Sequence, residues 1–223
     1  MVHVVRTFER PAAALIERIK QYPPSTLHEA QGRLGALTSR IKPIYPGMRA
    51  CGPAFTVSCH PGDNMMLITA ISLAKPGDVL IVSAGDHPEQ GGFGEVLATA
   101  CVSKGLAGLV TDAGVRDGPA IRNTGFNVFS LGLCMKGTVK ETLGYINQPI
   151  VIGGIAVRPG DIVSADDDGV VVVPKENIAD VCAKSAAREE KEASVMKALK
   201  AGGDILELSG IGKVLEAKNC TFA

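Results

Sequence analysis
Three short stretches carry residues whose types and spacing could do chemistry. The first is GLVTDAGVRDGPA at 108–120, where an apolar run turns polar at Thr111 and Asp112 and ends on Arg116 beside Asp117. A guanidinium is a permanent cation with a rigid fork of donors, and a carboxylate is a hard oxygen ligand. The pair could meet an oxyanion and a divalent cation, or could be an ordinary surface ion pair. The second is GGFGEVL at 91–97. Its glycines let the backbone approach a ligand. The helix that opens there offers unpaired N–H groups and a partial positive charge to a carboxylate or phosphate. Taken alone, it is equally a tight turn. The third is HPGDNMM at 60–66, where Asn64 can donate and accept and Asp63 can cap a helix.

His3, His28, His60 and His87 show no ligand spacing, which argues against zinc. One Asp with Glu carboxylates nearby suits Mg²⁺ or Mn²⁺, which keep several waters and take one or two protein carboxylates. The acidic run Asp166–Asp167–Asp168, followed by Gly169 and VVVVP, reads as a hairpin turn rather than a metal site. The six cysteines are scattered, none as CxxC and several in apolar runs. They read as reduced, mostly buried thiols.

The elements that must position these residues are short. A helix is expected over 11–21, with Pro11 in its first turn, and a second short helix capped by Ser25 or Thr26 and ending at Gly32 or Gly35. GPAFTVSCH, DVLIVSAG, GLVTDAG and PIVIGGIAV have the apolar, β-branched character of strands. Between the second and third of these, GEVLATACVSKG has a helical pattern, so the chain spells a βαβ unit. In such a right-handed unit both strands end on one edge of the sheet, so GGFGEVL and GVRDG should face one cleft. DIVSADDDGVVVVP reads as a hairpin turning at Asp168–Gly169, which makes the sheet mixed. PGD recurs at 61–63, 76–78 and 159–161 and suits type II turns. The last two should feed strands, and the first should open a helix over NMMLITAISLA. A long amphipathic helix from about Lys175 to Ala201 is stopped by Gly202–Gly203 and followed by a peripheral tail. The expectation is one α/β domain over 1–223, with a core at about 25–174 and a C-terminal helix and tail at 175–223.

Composition narrows the function classes. Lys+Arg and Asp+Glu are equal at 23 each, so no bulk charge attracts nucleic acid, and aromatics at 4% with no Trp make a poor stacking platform for bases. Hydrophobic residues at 46% suffice for a sizeable core. No run approaches a membrane span, and MVHVVRTFERP is too charged for a signal peptide. The expectation is a soluble, cytoplasmic protein.

The ordered set HEAQGR, PIYPG, PGDNMM, GFGEVLATA, DAGVRD, GTVKETLG, PGDI and ADDDGVVVVP resembles the 4-hydroxy-4-methyl-2-oxoglutarate/4-carboxy-4-hydroxy-2-oxoadipate aldolases. These are divalent-metal pyruvate aldolases within the group similar to the regulator of ribonuclease activity A. The likeness runs from about Thr26 to Pro174. It implies an α-β-β-α sandwich with a swivelling-domain-like core, assembled as a trimer or a dimer of trimers with sites between subunits. It implies that Asp117 holds Mg²⁺ or Mn²⁺ and that Arg116 binds the keto or enolate oxygen. Backbone N–H groups of Gly94, Glu95, Val96 and Leu97 would hold the pyruvoyl carboxylate, and Asn64 and Lys140 would line the substrate pocket. Glu192 would reach the site's water from the neighbouring subunit. Two positions depart from the family pattern: Glu95 stands where Asp is common, and Ala120 stands where an acid follows the metal Asp.

The resemblance implies retro-aldol cleavage of a 4-hydroxy-2-oxo diacid to pyruvate and a second keto acid, in aromatic-acid catabolism, with oxaloacetate decarboxylation through the same enolate. Glu95 or Glu192 would position the base. Two alternatives stand beside it: a Schiff base on Lys140, and a non-catalytic binding protein like the inhibitors of an RNA-degrading endonuclease in the same group. GGFGE lacks the acidic strand end expected of an adenosyl-methionine site.

Overall fold
The runs GPAFTVSCH, DVLIVSAG and GLVTDAG are strands buried on both faces. The computed structural model describes residues 2–222. In chain order it contains α1 (Ala13–Ile19), α2 (Pro24–Ala30), β1 (Lys42–Pro43), β2 (Ala50–Ser58), α3 (Met65–Leu73), β3 (Val79–Gly91), α4 (Glu95–Ser103) and β4 (Gly108–Val115). There follow α5 (Gly118–Thr124), β5 (Val128–Ser130), β6 (Gly132–Leu133), β7 (Tyr145–Ile146), β8 (Ile150–Ile152) and β9 (Ile155–Val157). The chain ends with β10 (Ile162–Asp166), β11 (Gly169–Val173), α6 (Ile178–Lys200), α7 (Ile205–Ser209) and α8 (Ile211–Ala217).

Successive strand residues point to opposite faces. In β3, Val79 and Ile81 enter an inner core while Leu80 and Val82 enter an outer one. Val110 and Leu109 of β4, and Phe129 and Val128 of β5, divide in the same way. The sheet runs β1-β5-β4-β3-β2-β10-β11. The β2–β3–β4–β5 portion is parallel, and β10 is antiparallel to both β2 and β11. Its two ends approach each other where Ala36, just ahead of β1, bridges Val171 of β11, so the mixed sheet is nearly closed. Ile150, Ile152 and Val157 of the β8–β9 hairpin fill the inner core. Helices α3, α4 and α5 cover one outer side, and α1, α2 and α6 cover β10 and β11 on the other. This is the α/β, α-β-β-α layering implied by the resemblance, with the sheet curled toward a barrel. Among the described residues no helix is long and apolar enough to cross a membrane.

The structure departs from several sequence expectations. PIVIGGIAV is not one strand, because Gly153 and Gly154 both take positive φ and fold it into the β8–β9 hairpin. The acidic hairpin turns at Asp167–Asp168, not Asp168–Gly169, since Asp166 pairs with Gly169. Asp166 Oδ1 accepts from Asp168 N at 3.0 Å, and the Asp167 carboxylate accepts from Gly47 N. Pro11 lies ahead of α1, whose N-cap is Ala12. Neither Ser25 nor Thr26 caps α2, because Pro24 fills its first position. The tail forms the short exposed helices α7 and α8. All six cysteines are free, and burial pushes the thiols of Cys59 and Cys101 up to about 12, which makes them inert.

The three PGD repeats all turn with a positive-φ glycine, at Gly62, Gly77 and Gly160. In the second, Asp78 is almost fully buried at 1% exposure. Arg10 Nε and Nη2 grip its two oxygens at 2.8 and 2.7 Å, and Lys75 N donates to it at 2.9 Å. Arg10 in turn lies 4.0 Å over the Phe8 ring, which packs edge-on against Phe55. One buried ion pair thus pins the N-terminal segment beside the start of β3. Arg10→Ala strips the cation from a buried carboxylate and should cost about 3 kcal/mol. Urea unfolding should show a lower midpoint at unchanged slope.

Candidate active site
The parallel pairing of β3 with β4 sets two loops on one edge of the sheet. Gly92, Phe93 and Gly94 lead from β3 into α4, and Arg116 and Asp117 lead from β4 into α5. The loops are hydrogen-bonded to one another: Arg116 N donates to Phe93 O at 2.8 Å, and Gly92 N to Gly114 O at 3.1 Å. GGFGEVL and GVRDG therefore share one edge, as the βαβ reading requires.

Asp117 sits in the left-handed region at φ 58°, which Asp tolerates better than most residues. This turn swings its carboxylate back onto the start of α4, where Oδ2 accepts from Glu95 N at 3.2 Å. A Cβ added at Gly94 would collide with Asp117 Oδ2 and come within 3.2 Å of Arg116 Cγ. Gly94 is the N-cap of α4 and has no side chain to satisfy the helix, so the N–H groups of Val96 and Leu97 lack a side-chain cap. Val96 is 80% exposed, so this end of the helix faces outward.

The Arg116–Asp117 pair is not a tight ion pair. Arg116 Nε lies 3.7 Å from Asp117 Oδ2, beyond hydrogen-bond range, and both side chains are nearly half-exposed. Arg116 has no other ion-pair partner among the described residues. A permanent cation, a helix N-terminus and an open carboxylate meet here, which is a set for an anion that carries a second oxygen donor. Glu95 is exposed in the first turn of α4.

Asn64 and Lys140 lie on the segments beside this edge. Asn64 Nδ2 donates to Gly92 O at 2.9 Å, tying α3 to the glycine turn. Asn64 is 9% exposed and its Oδ1 has no partner. It lines a small cavity of about 20 Å³ with Gln90, Gly92, Thr111 and Thr138, room for a single water. Lys140 is exposed on the loop that follows Thr138 and Val139, and Val139 bridges Asp63. Asp63 is buried, and burial opposes its charge. N–H groups of Glu141, Met65 and Thr142 outweigh that and hold the carboxyl below its ordinary range.

Two contributions escaped the sequence reading. Asp63 was expected as the cap of α3, but the N-cap is Asn64; Asp63 lies one residue ahead, accepts from Met65 N and binds a distant loop. Asp112, buried in β4, accepts from Ala84 N and Ser83 Oγ where the β3 register slips after Val82. Burial pushes its carboxyl up. Nothing in the spacing of either residue marks these long-range contacts.

Glu192 is not brought to this edge by its own chain. It lies on α6, which packs on α1 and α2, and its carboxylate pairs with Arg188 at 2.7 Å. Among the described residues no cluster of three His, Cys, Asp or Glu side chains could enclose a metal ion. Asp117 Oδ1 takes no hydrogen bond among the described residues, while Oδ2 is held by Glu95 N. A single open carboxylate fits a hard cation that keeps most of its waters, not a caged zinc. Ala120, one turn along in α5, adds no ligand.

The chain is similar to several known proteins. Residues 12–172 match the family model described as RraA-like, Aldolase/RraA. A protein of Halalkalibacterium halodurans, provisionally named 4-hydroxy-4-methyl-2-oxoglutarate aldolase, is 34% identical over 178 residues, covering 78% of this chain and 85% of that one. The crystal structure of an uncharacterised Pseudomonas syringae protein superposes with a TM-score of 0.80 at 26% identity, over 91% of this chain and all of the other. Streptomyces coelicolor RraAS2, described as an unusual member of the RNase ES inhibitor RraA family, gives 0.76 at 29% identity, over 84% of this chain and 98% of its own.

The close approach at Gly94 yields a direct test. Gly94→Ala must push Asp117 and Arg116 away from the helix end at an exposed edge, leaving the core untouched. Oxalate binding, followed by calorimetry with Mg²⁺ present, should weaken by about a hundredfold, the scale of an ångström-sized misplacement. Stability should fall by no more than the roughly 1 kcal/mol of a lost helix cap.

Proposed function
This chain belongs to the RraA-like, Aldolase/RraA family, and from that premise we propose that it is a divalent-metal-dependent pyruvate aldolase. Its substrates would be 4-hydroxy-2-oxo diacids such as 4-carboxy-4-hydroxy-2-oxoadipate or 4-hydroxy-4-methyl-2-oxoglutarate. The observation that carries the reading is the Asp117 carboxylate seated 3.2 Å from Glu95 N at the head of α4, with Arg116 beside it and paired to nothing tightly.

In this reading the N–H groups at the start of α4 bind the substrate's 1-carboxylate, and the helix dipole favours the negative charge there. Arg116 meets the 2-oxo oxygen. Asp117 would hold Mg²⁺ or Mn²⁺ through Oδ1, and the ion would supply Lewis-acid polarisation of the oxo group. The C4 hydroxyl gives its proton to a carboxylate, Glu95 or the partner subunit's Glu192, through a water. The C3–C4 bond breaks, the second keto acid leaves, and the electron pair stays as pyruvate enolate. Arg116 stabilises the enolate oxygen where charge has grown, and a proton delivered to C3 completes pyruvate. Lys140, on the loop beside Asn64, meets the distal carboxylate. Oxaloacetate loses CO₂ to the same enolate, which makes decarboxylation a side activity. Assembly as a trimer or a dimer of trimers would bring the partner subunit's Glu192 to this edge.

A lactate-dehydrogenase-coupled assay of pyruvate release, with and without Mg²⁺, tests the reading across these diacids and oxaloacetate. Arg116→Ala should lower turnover by about 10²–10³, the usual effect of removing one electrostatic group. Asp117→Ala should abolish metal-dependent release, and full activity of that variant in EDTA overturns the metal role. Borohydride with pyruvate should leave Lys140 unmodified; a trapped adduct there would replace the metal mechanism with a Schiff base.

A further inference from the structure
The first PGD turn is built differently from the other two. Asp78 and Asp161 each accept from the N–H that opens their own turn, Lys75 N at 2.9 Å and Arg158 N at 2.8 Å. Each also faces a guanidinium, Arg10 for Asp78 and Arg158 for Asp161. Asp63 has no cation within ion-pair range among the described residues, although it is only 5% exposed. It is compensated mainly by backbone N–H groups, with a smaller contribution from the nearby His60 imidazole. Oδ1 accepts from Met65 N at 2.8 Å, the first N–H of α3, whose N-cap is Asn64. Oδ2 accepts from two successive N–H groups, Glu141 N at 2.6 Å and Thr142 N at 2.7 Å, some eighty residues along the chain.

Those two N–H groups belong to the loop that carries Lys140. That loop has little regular structure of its own between β6 and β7. Near Lys136 it is attached to the end of β3, where Gly91 N donates to Lys136 O at 2.8 Å; around Lys140 it is attached by Val139 N to Gly62 O at 3.0 Å, by Asn64 N to Val139 O at 3.2 Å, and by the Asp63 carboxylate. Asn64, the next residue, holds Gly92 O of the glycine turn. The dipeptide Asp63–Asn64 therefore fastens two walls of the site to one helix end: the Lys140 loop through Asp63, and the turn leading to α4 through Asn64.

We propose that Asp63 is a positioning residue for the keto-acid site, acting by clamping the Glu141–Thr142 backbone so that Lys140 is held against the edge formed by Gly92 and α4. The proposal rests on the aldolase reading of that edge for its ligand, but the clamp itself does not. The depressed carboxyl of Asp63 agrees with it. A lowered folded value means that the clamp's stabilisation is fully present above the ordinary carboxylate range and lost only as pH falls through the lowered value. The clamp is closed at neutral pH.

Two measurements on the full-length protein test this. Asp63→Asn keeps the shape but cannot present one charged oxygen to two donors. Amide exchange at Glu141 and Thr142 should quicken by at least about tenfold, with Leu109 and Val110 in β4 unchanged, since charge-assisted bonds to two amides are lost locally. Affinity for 2-oxoglutarate, which carries the distal carboxylate but has no C4 hydroxyl to cleave, should fall about as far, with Mg²⁺ present, as in Lys140→Ala. In the double variant it should fall by less than about twofold further, because both changes act through one side chain. Thr142→Pro removes one donor from the exposed side and should weaken 2-oxoglutarate in the same direction, which keeps the test alive should Asp63→Asn fail to fold. Unchanged exchange at 141 and 142, or fully additive effects of the two single variants, overturns the proposal. A wild-type protein that ignores 2-oxoglutarate sinks the aldolase reading and the site role together, while the exchange result still decides the clamp.

Discussion
The site depends on there being no side chain at position 94. A helix whose first residue follows a bare glycine has nothing of its own to cap it, and here a carboxylate from the next loop takes that place. Asp117 can do so because its left-handed backbone turns the side chain toward α4, and because Gly94 leaves the space that Oδ2 occupies. One contact therefore sets several things together. It occupies the open end of α4, it leaves Asp117 Oδ1 without a hydrogen bond among the described residues, and it places Arg116 alongside at 3.7 Å without spending its charge in a tight pair. Any larger residue at 94 would separate groups whose chemistry needs them adjacent.

That contact is only as precise as the frame beneath it. Strands β3 and β4 are buried on both faces, so a register slip of one residue would carry every side chain to the wrong core. The central rungs, Val79 with Gly108 through Val82 with Thr111, are regular; irregularity begins only past Val82, at the functional edge. There Asp112 catches the loosened backbone of Ser83 and Ala84. Regular pairing supplies rigidity, and the loops beyond it supply chemistry.

The parts of this molecule written in local sequence were legible before any coordinates. The βαβ unit, the mixed sheet and the shared edge of GGFGEVL and GVRDG follow from periodicity, glycines and the handedness of crossovers. Membership of the family followed from motifs in order. What stayed hidden depends on contacts between distant residues. Two-residue strands such as β1 and β7 have no pattern of their own and exist because a neighbour pairs with them. The β8–β9 hairpin was concealed inside an apolar run, although the Gly153–Gly154 pair was its local mark. Helix α5 was missed because GPAIRNT is short and opens on Gly-Pro, which reads as a turn. In the site, Arg116, Asp117 and the glycine turn sit at one edge as expected, whereas Glu192 lies with Arg188 on α6, and no pattern within one chain could show what a second chain would bring to it.

The three PGD turns show why local motif and function separate. Each places a carboxylate where the chain has just turned, and each carboxylate ends up nearly dehydrated. A buried charge must be compensated, and the turn itself supplies one or two N–H groups at most. What supplies the remainder is decided by the surroundings: Arg10 for Asp78, Arg158 and Lys175 N for Asp161, and the backbone of Glu141 and Thr142 for Asp63. For the first two, compensation holds the scaffold. For Asp63 the compensating groups belong to a loop at the functional edge, so the burial of the carboxylate and the position of that loop are a single constraint. Neither can be relaxed without the other, and a tripeptide that is structural in two places is thereby bound to the site in the third.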